Sequence, residues 1–272
     1  MHRFTQVDVF SDELGLGNPV AVVHDADDLG EEDLVRFARW TNLSETTFLL
    51  APTTPEADYR VRILTPGREL PFAGHPTLGT CRAWLAAGGQ PRGEDVVQEC
   101  AAGLVRVRRE GDRLAFAAPP LLRGGPVAAA DVRTLAGQLG LAAEQVVDAQ
   151  WCDNGPGWVT LLLPDAATVL GLDPGPLTGP FEDVGVVGPH PPGHDVQFEV
   201  RAFTESVEDP VTGSLNAAIG QWLTGSGLAP EQYVAAQGTR LQRRGRVHVR
   251  REGADVWVGG HTVIGVEGST AL

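Results

Sequence analysis

Val61–His75, VRILTPGRELPFAGH, recurs as VRAFTESVEDPVTGS at Val200–Ser214, 139 positions further along a chain of 272 residues. Six of the fifteen aligned positions coincide: Val61/Val200, Arg62/Arg201, Thr65/Thr204, Glu69/Glu208, Pro71/Pro210 and Gly74/Gly213. Unrelated segments of ordinary composition would share about one. The offset is close to half the chain, so the sequence reads as an internal duplication. Each copy runs from a strand-like alternation through a Gly-containing polar turn into an Ala/Leu/Trp-rich stretch, predicted as helix over Thr77 to Ala87 and Leu215 to Leu223. Two related helix N-termini result. Each presents unpaired N–H groups and a partial positive charge, and two of them facing one ligand suit a small anion, most simply a carboxylate.

Composition narrows the function class. Length allows two domains of ordinary size, and 42% apolar residues are enough to give each a core. A net charge of −14 argues against nucleic acid and anionic membranes as partners, since both are bound through surplus Lys and Arg. No apolar run approaches the roughly twenty residues of a spanning helix, and MHRFTQVDVF reads as a strand with no signal-peptide core, so a cytoplasmic location is expected. Cys81, Cys100 and Cys152 are odd in number and follow no zinc or disulfide spacing. All 21 Lys+Arg residues are arginine, which excludes Schiff-base chemistry and the lysine-dependent phosphate loops. No GxGxxG after a strand, HExxH or CxxC is present, so neither cofactor nor metal is called for.

The duplication sets the expected organisation. The first half reads as a hairpin (Phe4 to Phe10, Val20 to Val23), a helix over Glu31 to Trp40, strands at Thr46 to Leu50 and Tyr59 to Leu64, the first loop and helix, and a hairpin from Leu104 to Ala117. APPLLRGGPV, rich in Pro and Gly, is the expected linker. The second half has a helix over Asp131 to Leu139, then strands at Val146 to Ala149, Trp158 to Leu163 and Phe198 to Phe203. The second loop and helix follow, and then strands at Val247 to Arg250 and Val256 to Val258. A final strand, Val263 to Val266, lies beyond the repeat.

Candidate chemistry falls in three places. In Ala73-Gly74-His75-Pro76-Thr77, glycine permits close backbone approach, Pro76 suits a first helical turn, and His75 can set an imidazole beside an anion; the plain alternative is a capped helix with an exposed His. In Glu208-Asp209-Pro210-Val211-Thr212-Gly213-Ser214, Pro210 restricts the backbone of Asp209 and so fixes where its carboxylate points, whereas Glu208 serves equally well as an acid on a helix dipole. Glu45, in Asn42-Leu43-Ser44-Glu45-Thr46, sits on the turn before a strand and by pattern alone is a solvated loop acid. Inside an apolar cleft, such a carboxyl group could take and return a proton near neutral pH.

FTQVDVF with GNPVAVV, NLSETTFLL, TPGRELPFAGHPTLGT, EDPVTGSLNAAIG and QGTRLQRRGRVHV together resemble the phenazine-biosynthesis isomerase (PhzF-like) family, in family order over nearly the whole chain. The resemblance implies a diaminopimelate-epimerase-like α/β (α+β) fold of two pseudo-symmetric domains, each a curved, mostly antiparallel sheet around a central helix, with the site in the cleft between them. It implies domains over 1–118 and 119–262, with the C-terminal strand 263–272 returning to the first, and a homodimer. Epimerase and racemase relatives move a proton with two cysteines, one from each loop; neither loop here has one. Carried over by position, Glu45 is the general acid/base, His75, Asp209 and Ser214 line the site, and Gly74 and Gly213 offer N–H groups to a small carboxylate substrate. The implied reaction is a cofactor-independent shift of a proton and a double bond, as in trans-2,3-dihydro-3-hydroxyanthranilate. Alternatives are a lyase or hydrolase on the same cleft, or a catalytically silent small-acid-binding protein. Leu64, where an aromatic often precedes the Thr-Pro, and Gly67 depart from the family and bear on pocket shape.

Overall fold

Residues 1–174, 177, 179–204 and 207–272 are described by the computed structural model, so Glu205 and Ser206 of the second repeat copy lie outside the described residues. They separate into two units, one of residues 1–117 and 259–272 and the other of residues 118–258.

In the first unit, His2–Val9 (β1) and Asn18–Val23 (β2) form an antiparallel hairpin. Helix α1 (Glu31–Thr41) follows because Leu34, Phe37 and Ala38 recur at helical spacing and are buried, while Glu31, Glu32 and Asp33 favour its positive end. Burying Leu34 and Phe37 contributes about 1.5–3 kcal/mol each. Asn42 ends the helix in the left-handed conformation (φ 53°), with its N–H on the Ala38 carbonyl. That turn delivers the chain to β3 (Glu45–Leu50), whose first residue is Glu45. Then come β4 (Tyr59–Leu64), the short β5 (Glu69–Leu70), α2 (Gly74–Ala86), β6 (Val96–Cys100), β7 (Gly103–Glu110) and β8 (Arg113–Ala117). Pairing is antiparallel except where β2 meets β3 and β4 meets β6.

Helix α2 carries no polar stripe. Every residue from Gly74 to Cys81 is buried, so the helix must be covered on all sides, and β1, β2, β3, β6 and β8 pack around it. Gly79 makes that approach possible: a Cβ there would lie 2.2 Å from Val20 Cγ1.

The second unit opens with β9 (Arg123–Pro126), α3 (Ala129–Gln138), β10 (Asp148–Asp153), β11 (Val159–Leu162) and α4 (Ala166–Gly171). It continues with β12 (Val184–Pro189), β13 (Phe198–Phe203), β14 (Glu208–Asp209), α5 (Gly213–Gly225), β15 (Gln232–Gln237) and β16 (Gly245–Glu252). β3, β4, β5 and α2 of the first unit reappear as β12, β13, β14 and α5, with first and last residues displaced by the same 139 positions as the sequence repeat. The parallel pairs also correspond: β11 with β12 matches β2 with β3, and β13 with β15 matches β4 with β6. The last strand, β17 (Asp255–Thr270), leaves the second unit at Gly259, pairs antiparallel with β1, and is also hydrogen-bonded to β8. The strands of the first unit thereby form a ring, β17-β1-β2-β3-β4-β6-β7-β8, about α2. This is the diaminopimelate-epimerase-like architecture.

Several expected boundaries move. The APPLLRGGPV segment contains β9, an edge strand paired with β10; Gly124, Gly125 and Pro126 give it no side-chain alternation to read. Val256 to Val258 and Val263 to Val266 are parts of the single strand β17, whose shift of register opposite Gln6/Val7 interrupts the alternation. The return to the first unit comes at Gly259 instead of Val263, and the units meet at 117/118 instead of 118/119. Both loop helices start earlier than read, at Gly74 and Gly213, because glycines and Pro76 occupy first-turn positions where they cost little.

Candidate active site

In the first unit the strand that follows α1 and the helix that follows β5 bring Glu45 and His75 together. Glu45 Oε2 lies 3.3 Å from His75 Nε2, and both side chains are withdrawn from solvent, at 14% and 3% exposure. Glu45 is thus the first residue of a strand, and the solvated-loop reading is set aside. Nor is His75 the exposed histidine of a plainly capped helix. The far side of the ring, Nδ1, is 3.3 Å from the amide Nδ2 of Asn18, the first residue of β2. Burial pushes the imidazole down to about 3, opposed by a hydrogen bond to the Pro19 carbonyl. The ring is therefore neutral over the ordinary working range.

The base of the β1–β2 loop is pinned by Asp8, buried itself, whose Oδ2 accepts the N–H groups of Gly15 (2.6 Å) and Gly17 (3.0 Å). A Cβ on Gly17 would lie 2.2 Å from the Val9 carbonyl oxygen. The loop is held close, and Asn18 arrives beside His75.

In the second unit Asp209 and Ser214 bracket the start of α5. Asp209 Oδ2 accepts from Thr212 Oγ1 at 2.5 Å, and Gln237 Nε2 donates to the Asp209 carbonyl at 3.2 Å. The Pro210 that follows narrows the backbone of Asp209, as its sequence position predicts. Ser214 Oγ accepts from Trp158 Nε1 at 3.1 Å, and Asn154 Nδ2 donates to the Ser214 carbonyl at 2.9 Å. Neither Ala73 before α2 nor Thr212 before α5 makes a side-chain cap hydrogen bond to the first turn of its helix.

The duplicated loops keep their scaffold and have exchanged their chemistry. Arg62 grips Glu69 with Nε and a terminal nitrogen (2.8 and 2.6 Å), and Arg201 grips Glu208 in the same way (2.9 and 2.7 Å). Glu208 is therefore an arginine partner and not a free acid on the helix dipole. Thr65 and Thr204 each direct both N–H and hydroxyl to the carbonyl three residues on. Gln98 donates to Thr77 (2.9 Å) as Asn216 donates to Gln237 (2.8 Å), in the first turns of the two helices. Where the first unit has Glu45, the repeat places Val184; Asp209 stands opposite Leu70, and Ser214 opposite His75. Each half thus holds one carboxylate at a place where the other half is apolar.

Asn18, Trp158, Asn154, Gln98 and Gln237 are not singled out by the sequence reading. Gln98 and Gln237 are 139 positions apart, so extending the repeat downstream would find that pair. Trp158 and Asn154 carry no such signal. The cysteines are all buried and free. Burial pushes Cys81 and Cys152 up to about 12 and raises Cys100, so none offers a thiolate near neutral pH, and a two-thiol mechanism is absent.

Residues 7–268 match the family model described as phenazine biosynthesis-like protein. The chain belongs to this family. It is 38% identical over 261 residues to Antisense-enhancing sequence 1 of Schizosaccharomyces pombe, covering 89% of this chain and 88% of that one. It is 34% identical over 268 residues to trans-2,3-dihydro-3-hydroxyanthranilate isomerase of Pseudomonas aeruginosa, covering 93% and 92%. Among solved structures, the phenazine biosynthesis protein of the PhzF family from Bacillus anthracis superposes with a TM-score of 0.82 at 21% identity, over 100% and 99% of the two chains. The protein is an isomerase of the phenazine biosynthesis-like family, and no helix among its described residues is long and apolar enough to cross a membrane.

Proposed function

We propose that this family member is a cofactor-independent isomerase that moves a proton and a double bond in a small carboxylate such as trans-2,3-dihydro-3-hydroxyanthranilate, with Glu45 as the general acid/base. The supporting observation is the Glu45–His75 pair. Burial disfavours charge on the His75 ring, which leaves the carboxylate as the proton-carrying group of the pair. Glu45 is accordingly assigned the proton-transfer role, with His75 as a neutral neighbour 3.3 Å away.

In the forward step the Glu45 carboxylate takes the proton from a carbon next to the conjugated system, and the C–H electron pair moves into that system. The resulting Glu45 carboxylic acid returns the proton at the distal carbon. Atoms and charge balance without an oxidant, a metal or an organic cofactor. The resemblance assigns the N–H groups of Gly74 and Gly213, with Ser214, to binding of the substrate carboxylate and Asp209 to the lining of the site, roles that helix N-termini can support electrostatically. The resemblance also leads us to propose a homodimer, to be checked by light scattering against the 28.8 kDa chain.

Glu45→Gln keeps size and hydrogen bonding and removes the proton shuttle. With trans-2,3-dihydro-3-hydroxyanthranilate in D2O, the wild type should incorporate solvent deuterium with no other change in product mass, and the variant should lose about 10²- to 10⁴-fold in rate with little change in ligand affinity. Near wild-type turnover by the variant would remove Glu45 from the role. A product of altered mass would point to a lyase or hydrolase, and binding without turnover to a silent binding protein.

A further inference from the structure

Trp158 is buried immediately before β11, and its indole N–H donates to Ser214 Oγ at 3.1 Å. The turn that presents it is fixed: Asp153 Oδ1 accepts the N–H groups of Gly155 (2.8 Å) and Gly157 (3.0 Å), and both glycines have positive φ, 143° and 105°. From the same turn Asn154 holds the Ser214 carbonyl. Ser214 is itself buried, at 4% exposure. Its hydroxyl is thereby a constrained group.

The indole nitrogen is a donor only, whereas a hydroxyl can donate once and accept twice. Because Trp158 fills an acceptor position of Ser214 Oγ, the hydroxyl hydrogen must point elsewhere. Among the described residues no acceptor is placed to receive it. A buried donor without a partner is costly, and a ligand oxygen is the natural recipient. In the first unit the comparable place, at the opening of β2, is taken by Asn18 facing His75; an amide carries both donor and acceptor and imposes no such polarity.

We infer that Trp158 is a positioning residue that takes one of the two acceptor positions of the Ser214 hydroxyl, so that its hydrogen is best satisfied by a ligand oxygen and the second loop favours a group that accepts over one that only donates. This deepens the reading of Ser214 as a carboxylate ligand and rests on it. The favoured chemistry is a carboxylate, which offers an acceptor oxygen in either orientation, over its carboxamide, which does so in only one.

The test uses the full chain, with 3-hydroxyanthranilate and its carboxamide as probes. Trp158→Phe keeps an aromatic ring and removes the N–H. Calorimetry should show the carboxylate-over-carboxamide preference of the wild type falling about tenfold in Trp158→Phe, because the freed hydroxyl can rotate to accept from the amide. In the double variant with Ser214→Ala, the Trp158 substitution should have no further effect on that preference. Independently of binding, the Trp158 indole 1H–15N resonance of the unliganded protein should move in Ser214→Ala; this measurement needs no Trp158 variant to fold. An indole resonance indifferent to Ser214→Ala, or an unchanged preference in a folded Trp158→Phe, overturns the inference alone. Failure of the wild type to bind the carboxylate overturns both the inference and the reading of Ser214 beneath it.

Discussion

Glu45 Oε2 stands 3.3 Å from His75 Nε2, yet the pair is not an ion pair of the usual kind, because burial holds the imidazole neutral down to about pH 3. The sign of the linked stability follows. An unfolded histidine titrates near 6.5, so between roughly pH 3 and 6.5 the unfolded chain binds the proton that folded His75 refuses. Stability contributed by this group is complete above about pH 6.5 and is lost as pH falls, by at most about 1.4 kcal/mol per unit. Urea unfolding between pH 4 and 7 should therefore give a steeper fall for the wild type than for His75→Asn, by close to one proton at the acid end. Equal slopes would show that the ring is protonated in the folded protein. His24, also pushed down by burial, contributes to both proteins and cancels in the comparison.

The thiols give a second prediction. Cys81, Cys100 and Cys152 are buried, with raised pKa values, and alkylation requires an exposed thiolate. Native protein treated with iodoacetamide at pH 8 should remain unmodified by intact mass and retain its activity, and all three sites should react once it is unfolded in guanidinium. Stoichiometric alkylation of the native chain, with loss of activity, would bring a cysteine back into the chemistry.

The parts of the fold that are legible in the sequence are those where apolar and polar residue types alternate along a strand. β4 and β13 read at their observed limits, Tyr59–Leu64 and Phe198–Phe203, because one face of each is apolar. β12, Val184–Pro189, contains only Val, Gly and Pro and so offers no polar alternation, and β9 consists largely of glycine and proline; neither reads as a strand. For the site, the repeat locates His75 and Ser214. Glu45 carries no local signal, since its withdrawal from solvent comes from the turn at Asn42 and from His75, 30 positions further along the chain. Trp158 is hidden for the same reason: its partner is 56 positions away.

Glycine substitutions test whether the two kinds of helix differ as described. Gly79→Ala places a methyl group 2.2 Å from Val20 Cγ1, inside the wall around α2, and should destabilise by about 1–3 kcal/mol through overpacking. Gly137 lies on the exposed side of α3, where an added Cβ would meet nothing within 4 Å, and its replacement by Ala should gain about 0.4–1 kcal/mol. Equal effects in denaturant melts would mean that α2 is not tightly enclosed.

The two arginine forks make the sharpest comparison, since the repeat supplies an internal control. Arg201 and Glu208 are nearly buried, at 4% and 12% exposure, and Arg201 also donates to the Val169 and Leu172 carbonyls at the end of α4 (3.1 and 2.6 Å). Arg62 and Glu69 are 30% and 37% exposed, with Glu31 as a further surface partner. Removing one member of a buried pair strands the other charge and costs about 3–5 kcal/mol, whereas an exposed pair contributes at most about 1 kcal/mol. Arg201→Met should therefore lower stability several-fold more than Arg62→Met. Because Glu208 adjoins Asp209, Arg201→Met should also disturb whatever Asp209 contributes to turnover. Matching losses in the two variants would show that burial does not separate the forks.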